Sequence, residues 1–353
     1  MQRREFTQLL SALAAVPAQA EVALITHADG PHLSAYIEGL AKTPEVAKVY
    51  LANEATERQV RKGLGAKLAA VYKNPGELLK NHKPQLAIIP MEAMLAPPAI
   101  DAALNAGCHV MAEKPACVRA EDFAPLAAKA NSKNLHLMLA LSNRVDPVMR
   151  HARGIIAEGA IGKIYGMEMH TIADQTRLTK PAYHQSWTAR KSRSGGGHLL
   201  WLGIHWLDLA AYIGGSPITQ IVGFTGNVGG QPIDTEDSAA VALKFANGTF
   251  GTLTSGYYID KGKHLFIKFW GANGWLEIHH DRPEAPLEWQ THGQPIQRMK
   301  PTPQAGYTPW VQHVVRAALS LEPPLLTANE SLHALKTVFA GYKAAETGRT
   351  QTI

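Results

Sequence analysis

The stretch ALITHADGPHLSAYIEGL (residues 23–40) decides how the first third of the chain is read. It is a short apolar strand, a tight loop and a helix, the outline of a nucleotide-binding unit. Its loop, THADGPH, carries one glycine, Gly30, where a dinucleotide loop carries three. Outward from it the same alternation continues. EVALIT (21–26), AKVYLAN (47–53), QLAIIP (85–90), HVMAE (109–113) and HLMLAL (136–141) read as short buried strands. PHLSAYIEGLAKT, ATERQVRKGLGAKL, PPAIDAALNAG and RAEDFAPLAAKANSKN read as the helices between them. Short strands separated by longer helices signal right-handed βαβ units and a parallel sheet, placed here at residues 21–145.

From residue 146 the grammar changes. A helix, DPVMRHARGIIAEGAIG, leads into the strand-like runs KIYGMEMHTIA, ITQIVGFTGNV, SAAVALKFA, GTFGTLTSGY, HLFIKFWG and GWLEIHH. Turns such as ANG between them predict a largely antiparallel sheet. The fold class is therefore α/β: a Rossmann-like doubly wound parallel sheet, then an α/β domain (146–353) with an open, mainly antiparallel sheet. Helices close the chain and are expected to pack back on the first domain.

The 353 residues suffice for two cores. At 46% apolar and 18% charged, the composition is that of a globular protein, and no apolar run is long enough for stable insertion in a membrane. The net charge of +6 is scattered. The densest basic stretch, VRKGLGAKLAAVYK (60–73), reads as a solvated helix face, which excludes nucleic acid as the expected partner. Residues 1–20, with Arg3, Arg4, the apolar run Leu9–Val16 and a terminal AQA, resemble a twin-arginine export signal. That reading predicts export machinery as a partner and a periplasmic location. Cys108 and Cys117 are expected as buried free thiols.

Three segments, AGCHVMAEKPACV (106–118), SNRVDPVMRHARGIIAEGAIGKI (142–164) and SGGGHLLWLGIHWLDL (194–209), together resemble the Gfo/Idh/MocA family. The family is named for glucose–fructose oxidoreductase, inositol dehydrogenase and a rhizopine-catabolism protein. The resemblance continues through EDSAAVALKFANGTFGTLTSGY (236–257) and GANGWLEI (271–278). It implies oxidation or reduction of a carbohydrate or cyclitol with NAD(P), and a homo-oligomer formed through the open sheet.

The resemblance assigns site residues. Lys114 of the EKP triplet stands at the end of a parallel strand, beside the nicotinamide and the reacting carbinol. Glu113 and Pro115 flank it, and Pro115 shapes the turn. The alternative for Lys114 is a surface ion pair with Glu113. His205 fits a general acid or base, because imidazole titrates near working pH. At 100° per residue His198, Trp201, His205, Asp208 and Tyr212 share one helix face. Trp201 departs from the family, which carries an aspartate there; an indole stacks on a sugar ring but accepts no proton. Asp208 reads as structural. His198, Trp201, Arg144 and His184 are the candidate substrate-binding residues. Gly30, Asn53, Pro90, Glu113 and Pro115 are the candidate cofactor contacts, although Met91 and Leu95 stand where polar groups would help.

Zinc on His170, His198 and His205 is a minor alternative, opposed by the seven-residue offset of the last two, roughly 10.5 Å along a helix. Two further readings keep the pocket without the redox cofactor. One is a cofactor-independent or metal-dependent carbohydrate hydrolase or lyase, and the other is a sugar-binding protein.

Overall fold

The computed structural model describes residues 18–303 and 305–353. Arg3, Arg4 and the apolar run of the export-signal reading lie outside the described residues. Six parallel strands, β1 (Ala20–Ile25), β2 (Val46–Ala52), β3 (Leu68–Tyr72), β4 (Leu86–Ile89), β5 (His109–Ala112) and β6 (Leu137–Leu139), form a sheet ordered β3-β2-β1-β4-β5-β6. Helices cover both faces, so β1 and β4 to β6 are almost wholly buried and their sequences nearly all apolar. The winding direction reverses between β1 and β4, which opens a crevice beyond their carboxyl ends.

The stretch 60–73 is not one helix face. The helix Glu57–Leu64 stops at Gly65, whose φ of 54° lies in the left-handed region, and β3 follows as an edge strand. Lys67 is spent inside the fold. Its Nζ donates to the carbonyls of Leu40, Ala41 and Thr43 at 2.8–3.0 Å, capping the helix Leu33–Lys42. Both cysteines are buried and free, and burial pushes the Cys108 thiol up to about 11.

The second sheet contains β7 (Ile164–Asp174), β8 (Ile218–Gly226), β9 (Ser238–Phe245), β10 (Phe250–Ile259), β11 (Lys263–Gly271), β12 (Gly274–His279), β13 (Leu287–Thr291), β14 (Gln297–Arg298) and β15 (Gln351–Thr352). Their order is β14-β13-β12-β11-β7-β10-β9-β8-β15. Within this second sheet only the β7–β10 pair is parallel among the described strands. The helix Ile204–Gly214 is buried beside this sheet, and Phe224, Phe250 and Tyr165 are exposed. The closing helices return to the first domain. Tyr307–Ala318 packs on Leu33–Lys42, where a Cβ on Gly39 would stand 2.7 Å from Val311. Ala328–Thr347 packs on both β8 and the helix Ala120–Ser132. No helix among the described residues is long and apolar enough to cross a membrane.

One buried ion cluster ties these parts together. Arg144, in the turn between the domains, donates through Nε and Nη2 to both oxygens of Asp208, at 2.9 and 2.7 Å. Its Nη1 reaches Glu330 and the Leu325 carbonyl, each at 2.7 Å. Expected at the substrate site, Arg144 instead has its fork filled here, and Asp208 is structural. Replacing Arg144 by methionine strands a buried carboxylate. We expect R144M to lose about 3 kcal/mol or more of unfolding free energy in urea, and R144M/D208N to recover part of it.

Candidate active site

The run Gly195–Gly197 exists because backbone must pass where no side chain fits. A Cβ on Gly196 would lie 2.2 Å from the Tyr342 hydroxyl, and one on Gly197 only 1.8 Å from the Glu236 carbonyl oxygen. That approach lets Glu236 seat the following helix. Its carboxylate accepts from the backbone N–H of Gly197 (2.6 Å) and Leu199 (2.9 Å) and from Tyr342 Oη (2.8 Å), and its own carbonyl accepts from His198 N (3.0 Å). Burial pushes the Glu236 carboxyl upward despite these donors. The helix then opens with a π turn, Leu199–Gly203, before regular α-helix begins. The expected single face serves two cavities. Trp201 and His205 line one cavity, while Asp208 and Tyr212 line another beside Arg144.

The first cavity has a volume of about 500 Å³ and lies between the domains, past the end of β5. Lys114 is buried in its wall. Its Nζ donates to the Trp201 carbonyl at 2.6 Å and stands 4.3 Å from the centre of the Trp201 indole. Burial pushes the ammonium down to about 8; Glu113 opposes that shift and Arg177 adds to it. Glu113 makes no ion pair with Lys114 among the described contacts. It accepts from the Tyr36 hydroxyl and lies 3.2 Å from His32 Nδ1. His205 is held well below the usual imidazole range by burial and by the nearby Lys114, His32 and His280. Its neutral ring keeps Nδ1 buried without a hydrogen-bond partner in the protein. A neutral imidazole and a lysine that titrates near 8 thus share one cavity, which is the equipment for moving a hydroxyl proton.

The other expected site residues separate. His198 points away from the cavity: its Nδ1 meets Ser255 Oγ at 2.7 Å, its ring lies edge-on to Tyr257, and burial lowers it to about 3. His184 is anchored on the Leu178 carbonyl. His170 lies beside Glu168 at 3.0 Å, one residue from the cavity-lining Thr171 and so on the opposite face of β7. The zinc trio is therefore not assembled, and no metal-holding group of three His, Cys, Asp or Glu occurs among the described residues. Thr171, Arg177 and Lys263 complete the cavity, and sequence reading missed all three. Thr171 lies within β7, Arg177 just past its end and Lys263 at the start of β11, so only tertiary pairing reveals a shared wall.

The candidate cofactor contacts gather at the crevice. Thr26 Oγ1 donates to the Pro90 carbonyl at 3.0 Å, and a Cβ on Gly30 would press on both, so this glycine lets the loop close against β4. Asn53 ends β2 at φ 141° and caps the next turn through Ala55 N (3.1 Å). The helix Leu33–Lys42 starts without a side-chain cap, its Leu33 and Ala35 N–H groups donating to the Gly30 and His32 carbonyls at 3.4 and 2.9 Å. The Lys114–Pro115 peptide is cis. Buried Glu92 is gripped by Arg193 Nε and Nη2 (2.6 and 2.5 Å), joining the crevice wall to the second domain. Strand order fits a dinucleotide; exposed Asp29 is the one like charge in the loop.

The fold is that of a two-domain protein with a dinucleotide-type parallel sheet followed by a mainly antiparallel one. The chain belongs to the Gfo/Idh/MocA family: residues 24–141 match its oxidoreductase, NAD-binding Rossmann-fold profile, and residues 149–277 match its C-terminal domain. It is 28% identical over 206 residues to levoglucosan dehydrogenase of Pseudarthrobacter phenanthrenivorans, covering 51% of this chain and 52% of that protein. It is 22% identical to myo-inositol 2-dehydrogenase of Thermotoga maritima over 83% and 86% of the two chains. The chain spans about half to two thirds of the length of the first curated relatives it matches. The same fold occurs in a levoglucosan dehydrogenase solved with NADH and L-sorbose (TM-score 0.82, 19% identity, 95% of this chain and 99% of that one). It recurs in myo-inositol 2-dehydrogenase of Lactobacillus plantarum (TM-score 0.78, 23% identity, 95% and 99%).

The seat of the helix is testable apart from chemistry. G197A drives a methyl into the Glu236 carbonyl, so we expect its near-ultraviolet circular dichroism, carried here by Trp201 and Trp187, to change while the far-ultraviolet spectrum stays. Unchanged near-ultraviolet spectra would show that the close approach does not position the helix.

Proposed function

We propose that the chain is a sugar or cyclitol dehydrogenase that holds NAD(P) tightly, and that Lys114 and His205 handle the hydroxyl proton. The observation that carries this reading is their shared cavity at the carboxyl edge of the six-stranded sheet. Gly30, Asn53, Pro90, Glu113 and Pro115 are the groups that would hold the dinucleotide. When bound, the nicotinamide supplies the hydride acceptor or donor. Lys114 donates to the substrate oxygen as ammonium and takes its proton as amine. His205, already neutral, accepts a proton on its ring or orients the hydroxyl. Trp201 cannot accept a proton; it holds Lys114 by its carbonyl and offers an apolar wall to the sugar ring.

Export in the folded state with the cofactor already loaded, a periplasmic location, and a homo-oligomer through the apolar open face of the second sheet extend the proposal. The single-glycine loop favours the second reading, in which the same pair acts on a carbohydrate without hydride transfer.

Denaturing the purified chain and assaying the supernatant separates the two. We expect released NAD(H) or NADP(H); none released, with no thermal shift on adding any, contradicts the dehydrogenase reading. For the oxidation, kcat/KM should climb as pH rises through about 8, since the lysine is a base only above that value. K114M should lower kcat by roughly 10²–10⁴-fold, and K114R should abolish the limb near 8. A flat profile across about pH 7–9 would remove Lys114 from the role.

A further inference from the structure

The cavity is electrostatically lopsided. Lys114, Arg177 and Lys263 line it against a single carboxylate, Asp146. That carboxylate is already engaged by backbone donors, Val148 N at 2.8 Å and Ala305 N at 3.3 Å. Neither Arg177 nor Lys263 makes an ion pair with a carboxylate among the described residues. The nearby Asp174 acts on both cations from a distance but makes an ion pair with neither, accepting instead from Thr176 N at 3.1 Å and from the Thr176 hydroxyl.

Arg177 is nevertheless held in place. Its Nη1 donates to the Tyr257 hydroxyl at 3.2 Å, and its guanidinium stands 5.9 Å from the ring centres of both Tyr183 and Tyr257. A guanidinium fixed by neutral groups keeps its remaining N–H donors for a planar anion. Arg177 lines the same cavity as Lys114. Two of the three cations come from the second sheet and its loops, away from the β1 loop where a pyrophosphate would lie. Buried Thr171 Oγ1, in the same wall, has no hydrogen-bond partner in the protein and adds a neutral contact for a hydroxyl.

We infer that this site takes an anionic sugar derivative, one bearing a carboxylate or phosphoryl group, and that Arg177 with Lys263 receives that group while Lys114 and His205 face the reacting hydroxyl. The inference rests on the sugar-site reading above and narrows its substrate class.

The test is a titration of the purified full chain followed by tryptophan fluorescence, since Trp201 lines the cavity. The probes are D-glucuronate, D-gluconate, D-glucose 6-phosphate, D-glucose and myo-inositol. At least one anionic probe should bind about tenfold or more tighter than the neutral ones, the worth of one charge-assisted hydrogen bond. Preference for an acid over the phosphate assigns a carboxylate, and the reverse assigns a phosphoryl group. R177Q should erase the preference, R177K should retain part of it, and raising ionic strength from about 0.05 to about 0.5 M should weaken anionic probes alone. Neutral probes bound as tightly as the anionic ones, or R177Q weakening every probe equally, would overturn the inference. Arg177-dependent binding of an acid that is never oxidised would instead contradict the dehydrogenase reading and leave this inference standing. Oxidation of neutral sugars with no anion preference would do the opposite.

Discussion

The bond from Lys114 Nζ to the Trp201 carbonyl is the contact on which the site depends. It joins the end of a parallel strand in one domain to a π turn in the other, and it buries an ammonium against a neutral acceptor and an indole face. Burying a cation without a paired carboxylate is costly. The molecule offsets that cost in part with the carbonyl and ring, and in part by lowering the lysine's proton affinity. Glu113, the nearest acid in sequence, is drawn off toward Tyr36 and His32. The lysine is thus left able to change its charge near neutral pH.

Everything around that bond serves to hold it. The glycine run lets Glu236 reach the start of the helix, and three donors on its carboxylate fix where Trp201 begins to turn. Arg144 fixes the other end of the helix through Asp208 and ties it to the closing helix through Glu330. The indole at position 201 replaces the carboxylate that the family pattern carries there, and the cavity's balance shifts toward positive charge. His205 is kept neutral first by burial and then by Lys114, His32 and His280. Of the acids near Arg177 and Lys263, Asp174 acts on both without forming an ion pair.

Much of the fold was legible in the sequence because its signals are local. Five of the six parallel strands and six strands of the second sheet are apolar or alternating runs bounded by turns. β3, LAAVY, was hidden because the flanking Lys62, Lys67 and Lys73 made the whole stretch read as a helix face, and it is an edge strand with only one partner. The EKP triplet and the glycine run announced Lys114 and His205. The π turn did not announce itself, and the periodicity grouped His198 and Asp208 with His205 although Ser255 takes the first and Arg144 the second. Arg144 looked like a ligand-binding arginine because its partners lie 64 and 186 residues away. Arg177 and Lys263 carried no motif, since their meeting is set by the register of β7 against β11.

The central claim is that Lys114 is a buried amine poised to exchange a proton. It is tested most directly by titrating lysines labelled with 13C at Cε in the full chain by NMR, with K114R identifying the resonance. The account predicts a midpoint of about 8 for Lys114. A midpoint near the ordinary lysine value of about 10.4 would contradict it.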